Sequence, residues 1–302
     1  MRSETTVNNS KKPWVGRCTV EFCQDKQNKT NHQGGCNAPL KLMRTQVCGD
    51  GRCELPILHT AGGLVGGDEL EIKINLKKGS KSLLSTVAAQ KIYGSIRRSR
   101  IKPEGTWCQQ KVMITQEENT DLEWLPQETI IYKNALYEQE VSVQLEPNSS
   151  FLSMDIVRLG RTAANERLNE GKWKSNLKIK RRGLGGINYW EYIDRTEVSR
   201  ESLISAHGLG GNPVVGCFVW VAATMPEEER IINLLNDIRK DRDGLTGQMR
   251  CGQIRQGIVA RYIGESSRDA RHWFTRIWQR TRIFRGMITA EAPRYWPLQE
   301  KA

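Results

Sequence analysis

One stretch gathers groups able to do chemistry: Leu58-His59-Thr60-Ala61-Gly62-Gly63-Leu64-Val65-Gly66-Gly67-Asp68. A histidine precedes four glycines in six positions, and an aspartate follows them. Glycine lets a backbone take positive φ or approach another segment more closely than a Cβ permits. The segment therefore reads as a constrained loop holding His59 and Asp68 near a site. The alternative is a tight crossover in which His59 is simply hydrogen-bonded. Gly62, Gly63, Gly66 and Gly67 are the structural residues in either case. Two further acids stand in apolar strand contexts, Asp155 within 151–159 and Glu191 within 187–193. A carboxylate there is expensive unless it is hydrogen-bonded, paired or facing a metal. Ser85 and Thr86 offer neutral oxygens beside them. An outward strand position, or a salt bridge to a nearby arginine, is the alternative for each acid.

Other chemistries are missing from the sequence. It has no G-x-x-x-x-G-K-[ST], no H-E-x-x-H and no G-x-S-x-G. The four histidines form no His-rich tract. Gly183, Gly185 and Gly186 lack the strand–loop–helix frame of a dinucleotide site and read as a β-turn. Five of eight cysteines (Cys18, Cys23, Cys36, Cys48, Cys53) cluster early without a C-x-x-C pair, which is a weak signal for zinc. Cysteines this sparse point to a reducing compartment. The N-terminal residues lack an apolar h-region, so the reading is cytoplasmic.

These groups must be positioned by strands. Leu70, Ile72, Ile74 and Leu76 alternate with Glu69, Glu71, Lys73 and Asn75, the period of a half-buried strand. Further strands are expected at 82–89, 129–132, 141–145, 151–159, 177–179, 187–193 and 214–223, and a loop or insertion at 24–38. Many short strands at this spacing predict a mainly β fold. Two helices are expected in the C-terminal third. Pro226 and three glutamates precede the stripe Ile231, Leu234, Leu235 and Ile238. Ser266-x-x-Asp269 opens a second stripe of Ala270, Trp273, Phe274 and Ile277, with Gly286 as its stop. Residues 1–13 read as a disordered tail, and 14–302 as a single domain.

The chain has 302 residues, with 46 Lys/Arg against 34 Asp/Glu. A mean hydropathy of −0.57 and the lack of any long apolar run exclude a helical membrane protein. From 250 to 302 there are eleven Lys/Arg and four Asp/Glu. Such an excess suggests an acidic partner, so a basic β-rich nucleic-acid-binding protein is the alternative reading. The tryptophans near this basic region, Trp273 and Trp278, are better explained as core.

LHTAGGLVGGDEL, residues 58–70, resembles the His-x-x-Gly-Gly-x-x-x-Gly-Asp element of the urease accessory protein family UreD, also called UreH. Four more motifs follow in that family's order: residues 83–95, Leu125-Pro126-Gln127-Glu128, residues 154–161 and Arg261-Tyr262-Ile263-Gly264. Met154 and Ser85 stand where the family usually has tryptophan and threonine. The resemblance spans about residues 14–290 and implies sheets stacked in a helix-like arrangement. It implies no catalysis, but a scaffold that binds UreF, through it the GTPase UreG, and apo-urease. Nickel(II) would be bound only in transit, with no tightly held cofactor, on its way to the urease site. Nickel(II) accepts imidazole, carboxylate and water, and transit needs weak successive sites. Asp155, Glu191, Ser85, Thr86, His59 and Asp68 are then the candidates for the passage. Trp278, Arg276, Arg280 and Arg282 are candidates for partner binding. Neither nucleic acid nor a membrane is an expected partner.

Overall fold

The computed structural model describes residues 13–297. All but Pro13 of the tail expected at 1–13 lies outside them. The chain winds between two sheets. Strand β1 (Val15–Gln24) and β2 (Thr30–Cys36) form an antiparallel hairpin in a seven-stranded sheet. Strands β3 (Leu40–Leu42), β4 (Gln46–Val47) and β5 (Cys53–His59) belong to an eleven-stranded sheet. β6 (Glu69–Leu76) returns to the first sheet; β7 (Lys81–Val87) and β8 (Gln90–Ile92) return to the second. The alternation repeats with β9 (Cys108–Gln116), then β10 (Asp121–Leu125) and β11 (Thr129–Ile131), then β12 (Leu136–Leu145), then β13 (Ser150–Leu159). The hairpin of β14 (Lys172–Arg182) and β15 (Asn188–Val198) ends the seven-stranded sheet. After α1 (Arg200–Ile204), β16 (Val214–Val221) joins the larger sheet. Then come α2 (Glu228–Lys240), β17 (Gln248–Ile254), β18 (Gly257–Gly264) and α3 (Ser267–Phe284).

Each turn of this winding adds one parallel strand to both sheets. β6, β9, β12 and β14 pair in parallel order on one side. β5, β7, β10 and β13 do so on the other. The result is a short β-solenoid, the stacked helix-like arrangement the sequence resemblance implied. Strands buried on both faces explain the near-continuous apolar runs at 151–159 and 214–221. One core fills the space between the sheets, with Val20, Ile72, Leu84, Leu122 and Val157. A second lies between the larger sheet and the long helices, with Leu152, Met154, Phe218, Ile231, Trp273 and Trp278.

Two expectations need correction. Residues 30–36, inside the expected loop, form strand β2, because Cys18 to Gln24 pair with Thr30 to Cys36 across a short turn. A third helix, α1, also exists; at five residues it is too short to show an apolar period.

Candidate functional site

Along β13, Phe151 and Val157 face the other sheet while Leu152, Met154 and Ile156 face the helices. By the two-residue period Ser153 and Asp155 point between the sheets. The neighbouring turn of the solenoid is interrupted here. β10 pairs with β13 up to Trp124–Ser153, and β11 resumes at Thr129–Val157. Between them runs Leu125-Pro126-Gln127-Glu128, where the proline has no N–H for the ladder. A cavity of about 60 Å³ opens at this break, with Gln139, Ser153, Asp155, Asp194, Cys217 and Arg261 among its lining residues.

Gln139 Nε2 donates to Asp155 Oδ2 at 2.5 Å and to Ser175 Oγ at 3.0 Å. Burial raises the Asp155 carboxyl to about 6; the Gln139 hydrogen bond opposes this and the Asp194 charge adds to it. A carboxyl whose ionised form is disfavoured by burial, placed on a cavity wall, is a candidate functional position. Asp155 is in register with Cys217 on β16, and Cys217 with Arg261 on β18. Arg261 donates to Asp194 Oδ1 at 2.8 Å and to the Tyr192 hydroxyl at 2.9 Å. Burial pushes the Cys217 thiol up to about 12.

A second cavity of about 180 Å³ lies one turn back along the solenoid. His59 and Thr86 line it, and Gln110 is common to both cavities. His59 Nδ1 meets Gln90 Nε2 at 3.3 Å, while its buried Nε2 has no hydrogen-bond partner. Burial lowers the His59 pKa, which keeps the imidazole neutral at pH 7. Thr86 Oγ1 accepts from the Gln127 N–H at 2.9 Å.

The other sequence candidates lie elsewhere. Asp68 ties down the glycine loop, accepting from the Trp14 and Val65 N–H groups at 3.0 Å each. Ser85 points to the helix side: it donates to the Leu125 carbonyl at 2.6 Å and accepts from Trp296 Nε1 at 3.0 Å. Glu191 is the extra residue of a β-bulge between the pairs Ile179–Tyr192 and Lys180–Trp190. Arg181 donates to it at 2.5 Å and also binds the Ser149 and Ala222 carbonyls. Asp155 and Glu191 are therefore not brought to one cavity; the salt-bridge alternative holds for Glu191. Asp194, Gln139, Gln110 and Arg261 were missed. Gln110 and Gln139 are uncharged residues of alternating strands, and Asp194 directly follows the apolar stretch that drew attention to Glu191. Arg261 is the one charge of the apolar strand Gly257–Gly264, a contrast that could have found it.

The glycine loop is constrained in two different ways. Gly63 has φ +155° and an added Cβ would lie 2.6 Å from the Lys91 carbonyl oxygen. Gly66 has an ordinary φ, but a Cβ would lie 2.5 Å from Ser95 Cβ and 2.6 Å from the Thr106 carbonyl. Valine at either position is expected to destabilise the fold by about 1–3 kcal/mol in urea unfolding. Gly35→Ala, with open space at its Cβ, serves as the control and should change little. Equal unfolding midpoints for all three would mean the loop is mere linker.

A sequence model of one family, described as the UreD urease accessory protein, matches residues 15–297. The chain belongs to the UreD family. It is 56% identical to a urease accessory protein UreD of Parasynechococcus marenigrum over 292 residues, covering 97% of this chain and 93% of the relative. A Synechococcus UreD is 54% identical over 289 residues, covering 96% and 92%, and one from Prochlorococcus marinus is 48% identical over 296, covering 96% and 99%. Membership places this UreD chain in urease maturation as an accessory protein, which implies a non-catalytic role.

Within this UreD chain two of the C-terminal partner candidates, Trp278 and Arg282, are buried, while Arg276 and Arg280 stay partly exposed. Trp278 is fully buried, its ring 5.6 Å from that of Trp296. Arg282 makes a bidentate pair with buried Glu123 at 2.5–3.2 Å. Arg280 pairs with Asp241, and Arg276 donates to the Asp241 and Asp243 carbonyls at 2.6 and 3.0 Å. These side chains fasten α3 to the body of the protein, because an amphipathic helix must satisfy its charged groups at the core margin. Among the described residues, no helix is long and apolar enough to cross a membrane.

Proposed function

We propose that this chain is the scaffold of urease metallocentre assembly. It binds UreF and, through it, UreG, docks on apo-urease in the cytoplasm, and conducts nickel(II) along the space between its two sheets. The carboxyl of Asp155, on the wall of an inter-sheet cavity, carries this reading. The two cavities share Gln110 and follow one another along the solenoid. His59, Gln110 and Asp155 would then be successive stations of imidazole, amide and carboxylate character. Nickel(II) accepts such donors, and sparse ligands release an ion that a closed thiolate cage would trap. The route omits Glu191 and Ser85.

The nucleic-acid alternative finds little support, since the arginines it relied on have acidic partners: Arg271 with Glu128, Arg282 with Glu123, Arg285 with Asp121. The test is affinity capture with the tagged chain. UreF, UreG and the urease subunits should return together. Capture of none of them, under conditions where the chain is folded, would overturn the scaffold reading.

A further inference from the structure

The early cysteines play no part in the passage, yet two of them are placed for chemistry of their own. Cys18 on β1 and Cys36 on β2 are directly opposed in an antiparallel pair. The Asn37 N–H donates to the Arg17 carbonyl at 2.9 Å, one residue outside that pair. This makes Cys18–Cys36 a non-hydrogen-bonded pair, the position where Cα atoms approach to roughly 4.5 Å and side chains lie closest. A disulfide needs Cα atoms about 4.4–6.8 Å apart. The two thiols lie close enough to influence each other's titration. No other pair of cysteines is directly opposed among the described strands: Cys23 faces Asn31 and Cys53 faces Val47. β2 is the edge strand of its sheet.

We propose that Cys18 and Cys36 are a disulfide-forming modification site whose co-reactant is a low-molecular-weight disulfide such as oxidised glutathione. Cys36 is the more accessible thiol; Cys18 is 1% exposed. The Cys36 thiolate attacks one sulfur of the small disulfide, forming a mixed disulfide and releasing one thiolate. Cys18 then gives up its proton and attacks the Cys36 sulfur, releasing the second thiolate. Two protein thiols are oxidised, one small disulfide is reduced to two thiols, and the protons go to the leaving thiolates. Burial raises both cysteine pKa values, so the reaction quickens as pH rises. The bond would staple the edge strand to the sheet and close a loop around the exposed turn that carries Lys26 and Lys29.

The test uses the full chain incubated with oxidised glutathione and then nicked lightly with trypsin. The expected product is a covalent link between peptides 18–26 and 30–41, with chain pieces cut in the turn separating only on reduction. Cys23→Ser should retain the link, and Cys36→Ser should lose it while keeping glutathione off position 36. Peptide 18–26 carries both Cys18 and Cys23, so fragment spectra of the linked wild-type peptides must place the bond on Cys18, and a bond on Cys23 would overturn the proposal even should a variant not fold. Separation without reductant, or a link confined to Cys48 and Cys53, would overturn the proposal.

Discussion

Replacing Asp155 by asparagine is expected to stabilise the protein at neutral pH while lowering the nickel content of the urease it serves. The folded carboxyl titrates near 6, above its ordinary value of 3.8. Between those values the native state holds a proton that the unfolded chain has lost, so stability rises as pH falls through about 6 toward 4. Above 6 the ionised group bears the full desolvation cost. Asparagine removes that cost and keeps an oxygen for the Gln139 amide, which donates at 2.5 Å. The gain should be about 1–2 kcal/mol near pH 7.5 and should vanish near pH 4. Urea unfolding at both pH values reads it.

The substituted amide has no negative charge to offer a passing cation. If the passage runs by this residue, urease co-expressed with Asp155→Asn should carry about tenfold less nickel, by metal analysis, with capture of UreF unchanged. Glu191→Gln should instead lower stability by stranding Arg181, which it neutralises in a buried pair. Normal nickel loading with Asp155→Asn would move the passage elsewhere while leaving the family assignment intact. Loss of UreF capture would make Asp155 structural.

The largest loss of stability is expected at Glu123. This carboxylate is fully buried and accepts from Arg282 at 2.5–3.2 Å and from Arg285 at 2.6 Å. Arg285 also reaches Asp121 at 3.1 Å, and buried Arg52 reaches the same acid at 2.6 Å. Burial alone would raise the Glu123 pKa, but Arg52, Arg285 and Arg282 overcome it and hold the carboxyl well below the usual range. The network joins β10 to α3, elements about 160 residues apart in sequence. Glu123→Gln leaves buried guanidinium groups short of a counter-charge, which typically costs about 3–5 kcal/mol. The chain should then unfold at a lower urea concentration, with faster amide exchange along α3. The double change Glu123→Gln with Arg282→Gln should recover part of the loss, because it removes a cation together with its anion. An unchanged unfolding midpoint for Glu123→Gln would show that the network contributes little.

What the sequence by itself determined is local. The alternation at Glu69–Leu76 produced a strand because one face had to be buried and the other not. The helix opened by Ser266 begins where expected, with Ser266 Oγ accepting from the Asp269 N–H at 3.1 Å. Asp269 does not complete the capping box; its carboxylate accepts from Thr246, a contact no local spacing encodes. The ordered motifs fixed the family. Only the tertiary structure decided which acid meets the cavity. Period two states that a strand has two faces, not which sheet lies opposite each one. In this solenoid each parallel neighbour comes from a distant stretch, as Asp121 to Leu125 pair with Lys81 to Ser85. Asp155 and Glu191 looked alike in sequence. One stands where Pro126 breaks the adjacent ladder and space opens; the other sits at a bulge beside Arg181. The same limit applies to the basic C-terminal helix. Its arginines count as surplus charge until the fold brings Glu123 to Arg282 and Glu128 to Arg271 across the core, where a buried charge must find its partner, and Asp241 to the partly exposed Arg280.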